Sequence, residues 1–432
     1  MIDAAVDSRD SSSLWSDRNF QFFWSGQSLS KVGSAVNFIA LPLVGVLTLE
    51  LNAFEMGLIA SSSRFPSVIV SPFVGHIVDS IDRKRMMIGL DIGRAILVGS
   101  VPLAAFLNSL SLVLLMFIGA GLGICTLLFS VAHDTLLPNI VKESSLADGN
   151  SKLEASESLA DISGPGIAGW LVGLFGPAGA LVVDAASYVG SALLLARVRP
   201  LRHEVDQNPI QVDSDYEVAG FWEGTKLGFK LLWGDSVLRT LSVSYAVLAL
   251  FSQIQMAVYI LFLVRLEGFS ATMLGVVFSL AGAIGFVSAL LAGRVANRFG
   301  TGKLAVIGTG CHVGGGAVLA AVGGSTTQAV ITMLVAEAWI AAGLALYGVG
   351  SRTLYQTLVA DAVRGRVIGA GRAMTGALVS ISGVAGGAVG LLFGLRMALI
   401  VGAIGQSIAL VILVVSPTVW NAGRSLRPSV AT

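Results

Sequence analysis

The chain carries one motif twice, 218 positions apart. Gly75, Asp79 and Arg85 in GHIVDSIDRKR recur as Gly293, Asn297 and Lys303 in GRVANRFGTGK. Thr135-Leu136 and Val141 return as Thr353-Leu354 and Val359 at the same offset. Ile162-Ser163-Gly164 returns as Ile381-Ser382-Gly383, one residue later, and Leu174-Phe175-Gly176 as Leu392-Phe393-Gly394. An offset of half the chain length means two copies of one large unit, not a short-period solenoid.

Those copies are built for lipid. Hydrophobic residues make up 54% of the chain and charged ones 12%, about half the charge of a soluble domain. Apolar stretches of about 20 residues recur along almost the whole length. The 52 glycines suit helices that approach closely in a membrane. A net charge of +1 argues against nucleic-acid binding, since no basic region meets a phosphate backbone. Cys125 and Cys311 sit in separate apolar stretches with no ligand-like spacing, so they read as free thiols and no metal site is expected. The polar start and long first apolar stretch predict a retained span rather than a cleaved signal peptide.

The hydropathy pattern predicts an all-α membrane protein of twelve spans in two pseudo-symmetric six-helix halves. The spans run roughly 20–48, 54–78, 86–108, 111–133, 151–174 and 178–197, then 237–264, 271–296, 303–323, 327–350, 366–392 and 394–416. This divides the chain into a tail (1–19), a first half (20–197), a central segment (198–236), a second half (237–416) and a closing tail (417–432). The central segment ends in an amphipathic stretch, with Phe221, Trp222, Phe229 and Trp233 among Lys226 and Lys230, expected as an interfacial helix. Lys and Arg collect in the loops on one side, where Arg83, Lys84, Arg85, Arg294, Arg298, Lys303, Arg352 and Arg364 fall. The opposite loops hold only Arg265 and Arg396. The positive-inside rule therefore puts both tails and the central segment in the cytoplasm of an inner-membrane protein. Two homologous membrane halves point to a transporter with its site between them.

The repeated motif has a mechanical reading. Gly75 lets helices touch, Asp79 ends a span, and Arg83 to Arg85 cross a short turn. A carboxylate there faces the positive end of a neighbouring helix, worth about 0.3–1 kcal/mol. The alternative is a plain topogenic loop. The second copy keeps Gly293 and a basic turn but replaces the acid by Asn297 and puts Arg298 where the first has Ser80. An asymmetric gate is expected, in which Asp79→Asn impairs transport far more than Asn297→Ala.

The motif G-x-x-x-D-x-x-x-R-K-R resembles the signature loop of the major facilitator superfamily, more narrowly the bacterial macrolide-efflux and enterobactin-exporter type. Gly26-Gln27, Asp91-x-x-Arg94, Gly149-Asn150-x-Lys152-Leu153-Glu154, Gly164-Pro165, Asp184-Ala185-x-Ser187-Tyr188 and Arg364-Gly365-Arg366 carry the same resemblance, over roughly 14–416. It departs at Ser80 and Asp82, and at Ser34, where such proteins often place an acid. Gly164, Pro165 and Gly169 resemble the antiporter motif of span five and would let that helix bend and pack between the halves. The resemblance implies alternating access and a cavity lined by spans one, four, seven and ten.

On that basis Glu337 is the acid placed deepest by the cavity and the first candidate for the exchanged proton, with Lys31 holding it ionised in one state or competing with a cationic substrate. The alternatives are a fixed ion pair, or pairing with Arg64. Asp161 is the second candidate; Asp184 reads as structural and His312 as packed. Candidate cavity residues are Asn37, Phe38, Phe129, Gln253, Gln255, Tyr259, Trp339 and Tyr347, a mostly apolar set suited to amphiphiles.

Gly164 to Gly169 also spells G-x-G-x-x-G, but inside an apolar span with proline and after no strand, so it is no dinucleotide site. No Walker motif occurs, because Asn297 stands where the glycine ahead of Gly302-Lys303 would be. Neither H-E-x-x-H nor G-x-S-x-G occurs, so an enzyme is not expected. The expected function is a monomeric multidrug-type antiporter that needs no cofactor beyond a proton gradient. Its partners are the lipid bilayer and a small amphiphilic substrate (drug, antibiotic or siderophore). A proton-coupled nutrient importer and a non-transporting receptor or scaffold remain the other readings.

Overall fold

Helix starts in this chain are set by short polar side chains that accept the first free backbone N–H groups. Asp17, Asp82, Ser111, Asp235, Ser270 and Ser325 each cap a long apolar helix this way. The computed structural model describes residues 14–141, 145–199 and 221–422. The side chains of Pro72, Gly75, His76, Asp79, Ala147, Phe221, Trp222, Asp361 and Ala362 are outside the described set. Both expected tails and the central segment therefore fall partly outside it.

The first half comprises α1 (Arg18–Leu43), α2 (Ala53–Ser62), α3 (Phe65–Val70), α4 (Val74–Ser80), α5 (Arg83–Phe106), α6 (Leu112–Leu136) and α7 (Leu146–Arg197). After α8 (Phe221–Gly234), the second half comprises α9 (Ser236–Arg265), α10 (Ala271–Phe299), α11 (Thr301–Ala320), α12 (Thr326–Leu358), α13 (Asp361–Phe393) and α14 (Leu395–Val414), closed by α15 (Pro417–Asn421). Among the described residues there is no strand. Ten helices among the described residues are long and apolar enough to cross a membrane. One of these, α7, crosses twice, and α2 to α4 together make one further crossing, giving six per half. We refer to the face where α1 begins and α14 ends as the terminal face, and to the other as the far face.

Two features depart from a simple row of rods. The expected second span is broken into α2, α3 and α4. Pro66 and Pro72 lack an N–H, and Ser62, Ser67 and Ser71 turn their hydroxyls back onto carbonyls three or four residues earlier. By contrast α7 looks continuous but folds back at Gly176, whose φ of 73° and ψ of 170° only glycine adopts readily. Its repeat partner Gly394, with φ 93°, makes the same far-face turn between α13 and α14.

The halves meet through small residues near the far face, and the contact is built twice. A Cβ placed on Gly169 of α7 would lie 3.1 Å from the Cα of Gly275 on α10. A Cβ on Gly387 of α13 would lie 3.1 Å from the Cα of Gly57 on α2. Beside each contact a serine accepts from the opposite backbone: Gly166 N donates to Ser279 Oγ at 2.8 Å, and Val384 N to Ser61 Oγ at 3.1 Å. All four first-half positions map onto second-half partners at the 218-residue offset, so the seal has the pseudo-twofold symmetry of the repeat.

Candidate functional site

Below that seal, between the halves, lies a cavity of about 1420 Å³ that reaches residues at the terminal face. Helix periodicity decides what faces it. On α9, Gln253, Met256, Ala257 and Ile260 recur at three- and four-residue steps and line the wall. On α12 the same stripe holds Leu344, Tyr347, Gly348, Ser351, Arg352 and Tyr355. Of the expected lining, Asn37, Phe38, Gln253 and Tyr347 are in place. Tyr347 stacks on Tyr245 with ring centroids 5.4 Å apart, and its hydroxyl donates to the Leu241 carbonyl at 3.3 Å.

Four expected lining residues lie elsewhere. Gln255 is two positions from Gln253 and so on the opposite side of α9. There it is buried, donating to the carbonyls of Leu399 (2.8 Å) and Gly316 (3.1 Å) and accepting from Gln406. Tyr259 also faces away and is buried, donating to Glu337. Phe129 packs under the Arg94 guanidinium, 3.9 Å from the ring centre. Trp339 is half exposed beside Gly314 of α11, outside the cavity wall.

The expected pairing of Lys31 with Glu337 does not form. Lys31 makes its ion pair with Glu157 of α7, and both side chains remain nearly half exposed. Nor is Arg64 the partner: its guanidinium lies in the cavity wall, 3.4 Å from the Ala60 carbonyl. Glu337 is instead hydrogen-bonded by Tyr259, with no ion pair described for it. It stands seven residues before Leu344, on the same face of α12 but about 10 Å nearer the far face. Asp161 is exposed on α7, where its backbone lies against Gly282 of α10.

A buried polar cluster lies behind the first-half wall. Arg94 pairs with Asp91 at 2.5 Å, and its guanidinium lies 4.5 Å from the centre of the Tyr188 ring. Asn37 donates to Asp184 Oδ2 at 2.8 Å, so one cavity residue is tied directly to a fully buried acid. The sequence offered these residues as separate short motifs. Their assembly from α1, α5 and α7 appears only in three dimensions.

The expected gate residues lie at the terminal face. Gly75 and Asp79 are on α4, with side chains outside the described residues. Asp82 caps α5 by accepting from Arg85 N at 2.8 Å, Arg83 opens the helix, and Lys84 donates to the Ala196 carbonyl at 2.9 Å. In the second copy Gly300, with φ 92°, replaces the capping acid, and Gly302 N donates to the Ala422 carbonyl at 3.3 Å beside α15. Gly293 makes no helix contact here: a Cβ on it would meet nothing within 4 Å, and Asn297 and Arg298 are exposed. The glycine contact expected in the second copy is therefore not made at Gly293. Gly164 packs on Ala35 of α1, Pro165 offers its carbonyl towards Gly275, and Gly169 forms the seal.

Comparison with known proteins fits this architecture. The sequence profile of the Major Facilitator Superfamily matches residues 23–386. An uncharacterized MFS-type transporter, y4rN of Sinorhizobium fredii, is 28% identical over 58% of this chain and 62% of its own length. The multidrug efflux pump Tap of Mycolicibacterium fortuitum is 26% identical over 49% of this chain and 51% of its own. The chain thus spans between half and two thirds of the length of these two relatives. Among solved structures, the nucleoside transporter NupG superposes with a TM-score of 0.75 at 13% identity, covering 92% of this chain and 99% of NupG.

Proposed function

The chain belongs to the major facilitator superfamily, and from that premise we propose that it exports an amphiphilic organic compound by proton antiport. The observation that carries this reading is the inter-half cavity, closed by paired glycine contacts at one face and extending to the other. Such a seal breaks when the halves rock, which is the geometry alternating access requires. Basic residues at the terminal face, including Arg83, Lys84, Arg85, Arg294 and Lys303, support taking that face as cytoplasmic. The cavity then faces the cytoplasm, ready to load an exported compound. Mostly apolar walls with a few polar groups suit a drug, antibiotic or siderophore better than a sugar. Resemblance to an efflux pump supports export, while a fold shared with a nucleoside transporter leaves direction to experiment.

Glu337 is the proposed proton carrier. It lies on α12 seven residues before the cavity-lining Leu344, behind the wall and hydrogen-bonded by Tyr259, and rocking of the halves is proposed to bring it to water. A carboxylate at membrane depth without a cation is costly to keep charged, so proton exchange there is a natural use. Accumulation of amphiphiles in everted vesicles under an imposed pH gradient tests the reading. Movement that ignores both the gradient and an uncoupler overturns it.

A further inference from the structure

Four arginines line the cavity: Arg64, Arg352, Arg364 and Arg372. Among the described residues no carboxylate does. Near neutrality in the whole chain therefore conceals a site with one sign of charge.

Three of these cations, Arg64, Arg352 and Arg372, enter none of the described ion pairs. Those pairs join Lys31 to Glu157, Arg94 to Asp91, His133 to Asp134, Lys152 to Asp148 and Arg396 to Glu267. Arg364 is anchored, donating to the carbonyls of Gln356 and Val359 at 3.0 and 3.1 Å, so its charge is held at the end of α12. Arg352 and Arg372 are exposed. Asp134 of α6, whose charge is near enough to Arg372 to be felt, lies outside the lining and is hydrogen-bonded to His133 at 3.2 Å. A concave, low-dielectric site lined by one sign of charge concentrates the opposite ion.

Three of the four charges, on Arg352, Arg364 and Arg372, lie toward the terminal face, while Arg64 lies deeper, beside the Ala60 carbonyl. Leu344 of α12 lies toward the sealed end, with Phe38 and Met56 from the opposite half. Arg352 lies eight residues further along α12, about 12 Å toward the terminal face. We propose that the transported compound is an anionic amphiphile. Its apolar body occupies the sealed end, and its carboxylate, sulfonate or phosphate group is bound by Arg352 and Arg372, with Arg64 drawing the anion inward. Guanidinium groups suit such oxyanions because they donate two parallel hydrogen bonds. The assignment rests on the cavity being the substrate site of the proposed exporter, and it excludes organic cations as preferred cargo.

The test uses the purified full chain and everted vesicles with three probes. These are anilinonaphthalene sulfonate, its uncharged parent phenylnaphthylamine, and tetraphenylphosphonium. The sulfonate should bind about tenfold or more tighter than the neutral parent, and added salt should weaken it selectively. The double variant Arg352→Gln/Arg372→Gln should lose about tenfold in sulfonate affinity and leave the neutral probe nearly unchanged. Lysine at both positions should restore part of the loss, with melting temperature as the control for folding. Equal affinity for all three probes, preference for the phosphonium, or equal weakening of every probe in the variant would each overturn the proposal. Selective sulfonate binding without movement in vesicles would uphold the charge assignment and defeat the export reading. Should the variants not fold, the salt dependence of the unaltered protein still decides: weakening of all three probes alike overturns the charge assignment.

Discussion

Gly169 of α7 and Gly275 of α10 touch across the two halves, and the contact recurs 218 positions on as Gly387 against Gly57. Neither glycine needs a left-handed backbone there; what each supplies is the absence of a Cβ at 3.1 Å from an opposing Cα. Without a hydrophobic force between helices in lipid, such close packing holds them together. The seal should therefore be sensitive to a single added side chain.

Gly169→Val should open the far face. Overpacking of about 1–3 kcal/mol shifts a two-state equilibrium by roughly 5–150-fold. Maleimide labelling of Thr272→Cys, beside Gly169, should accelerate from the far side, and substrate export should fall. Unchanged labelling would mean that the seal is not the gate.

Glu337→Gln should abolish gradient-driven accumulation while leaving facilitated movement of substrate down its own gradient. Tyr259→Phe, which keeps the carboxylate but removes its described hydrogen-bond donor, should shift the pH profile of transport without abolishing coupling. Full pH-driven export by Glu337→Gln in vesicles would exclude it as the carrier.

Arg94→Ala should be the most destabilising change in the first half, by about 3–5 kcal/mol. It strands Asp91 and leaves Asp184, also fully buried, without the nearby cation. Adding Asp91→Asn should recover part of the loss, since one stranded charge is then gone. Melting of the purified variants in detergent is the readout, and a melting point equal to the parent's would contradict the cluster's role.

Gly176→Ala and Gly394→Ala should each cost about 1–3 kcal/mol, because both glycines adopt backbone angles nearly closed to other residues. Their effects should be similar and additive, being the same turn in separate halves. Thermal melting of the single and double variants checks this. A neutral Gly394→Ala would break the equivalence.

The sequence carried the membrane class, the duplication and the family motifs, since each is written in local pattern or spacing. Leu174-Phe175-Gly176 and its repeat were visible as a matched pair, and both prove to be far-face turns. The break in the second span has its cause in Pro66 and Pro72, but prolines occur within other spans here without breaking them, as Pro165 does in α7.

What the sequence could not assign was direction around each helix. In a soluble protein one polar stripe marks the outward face; in lipid, core-facing and lipid-facing sides are both apolar and the signal vanishes. That is why Gln255, Tyr259 and Trp339 read as cavity residues until packing turned them away. It is also why Arg352 and Arg364 read only as markers of a membrane face. The sequence by itself determined that two apolar halves would pair around a site. Tertiary packing decided which glycines close it, which acid lies behind its wall and that its walls are positive, because those depend on rotation and contact between helices far apart in the chain.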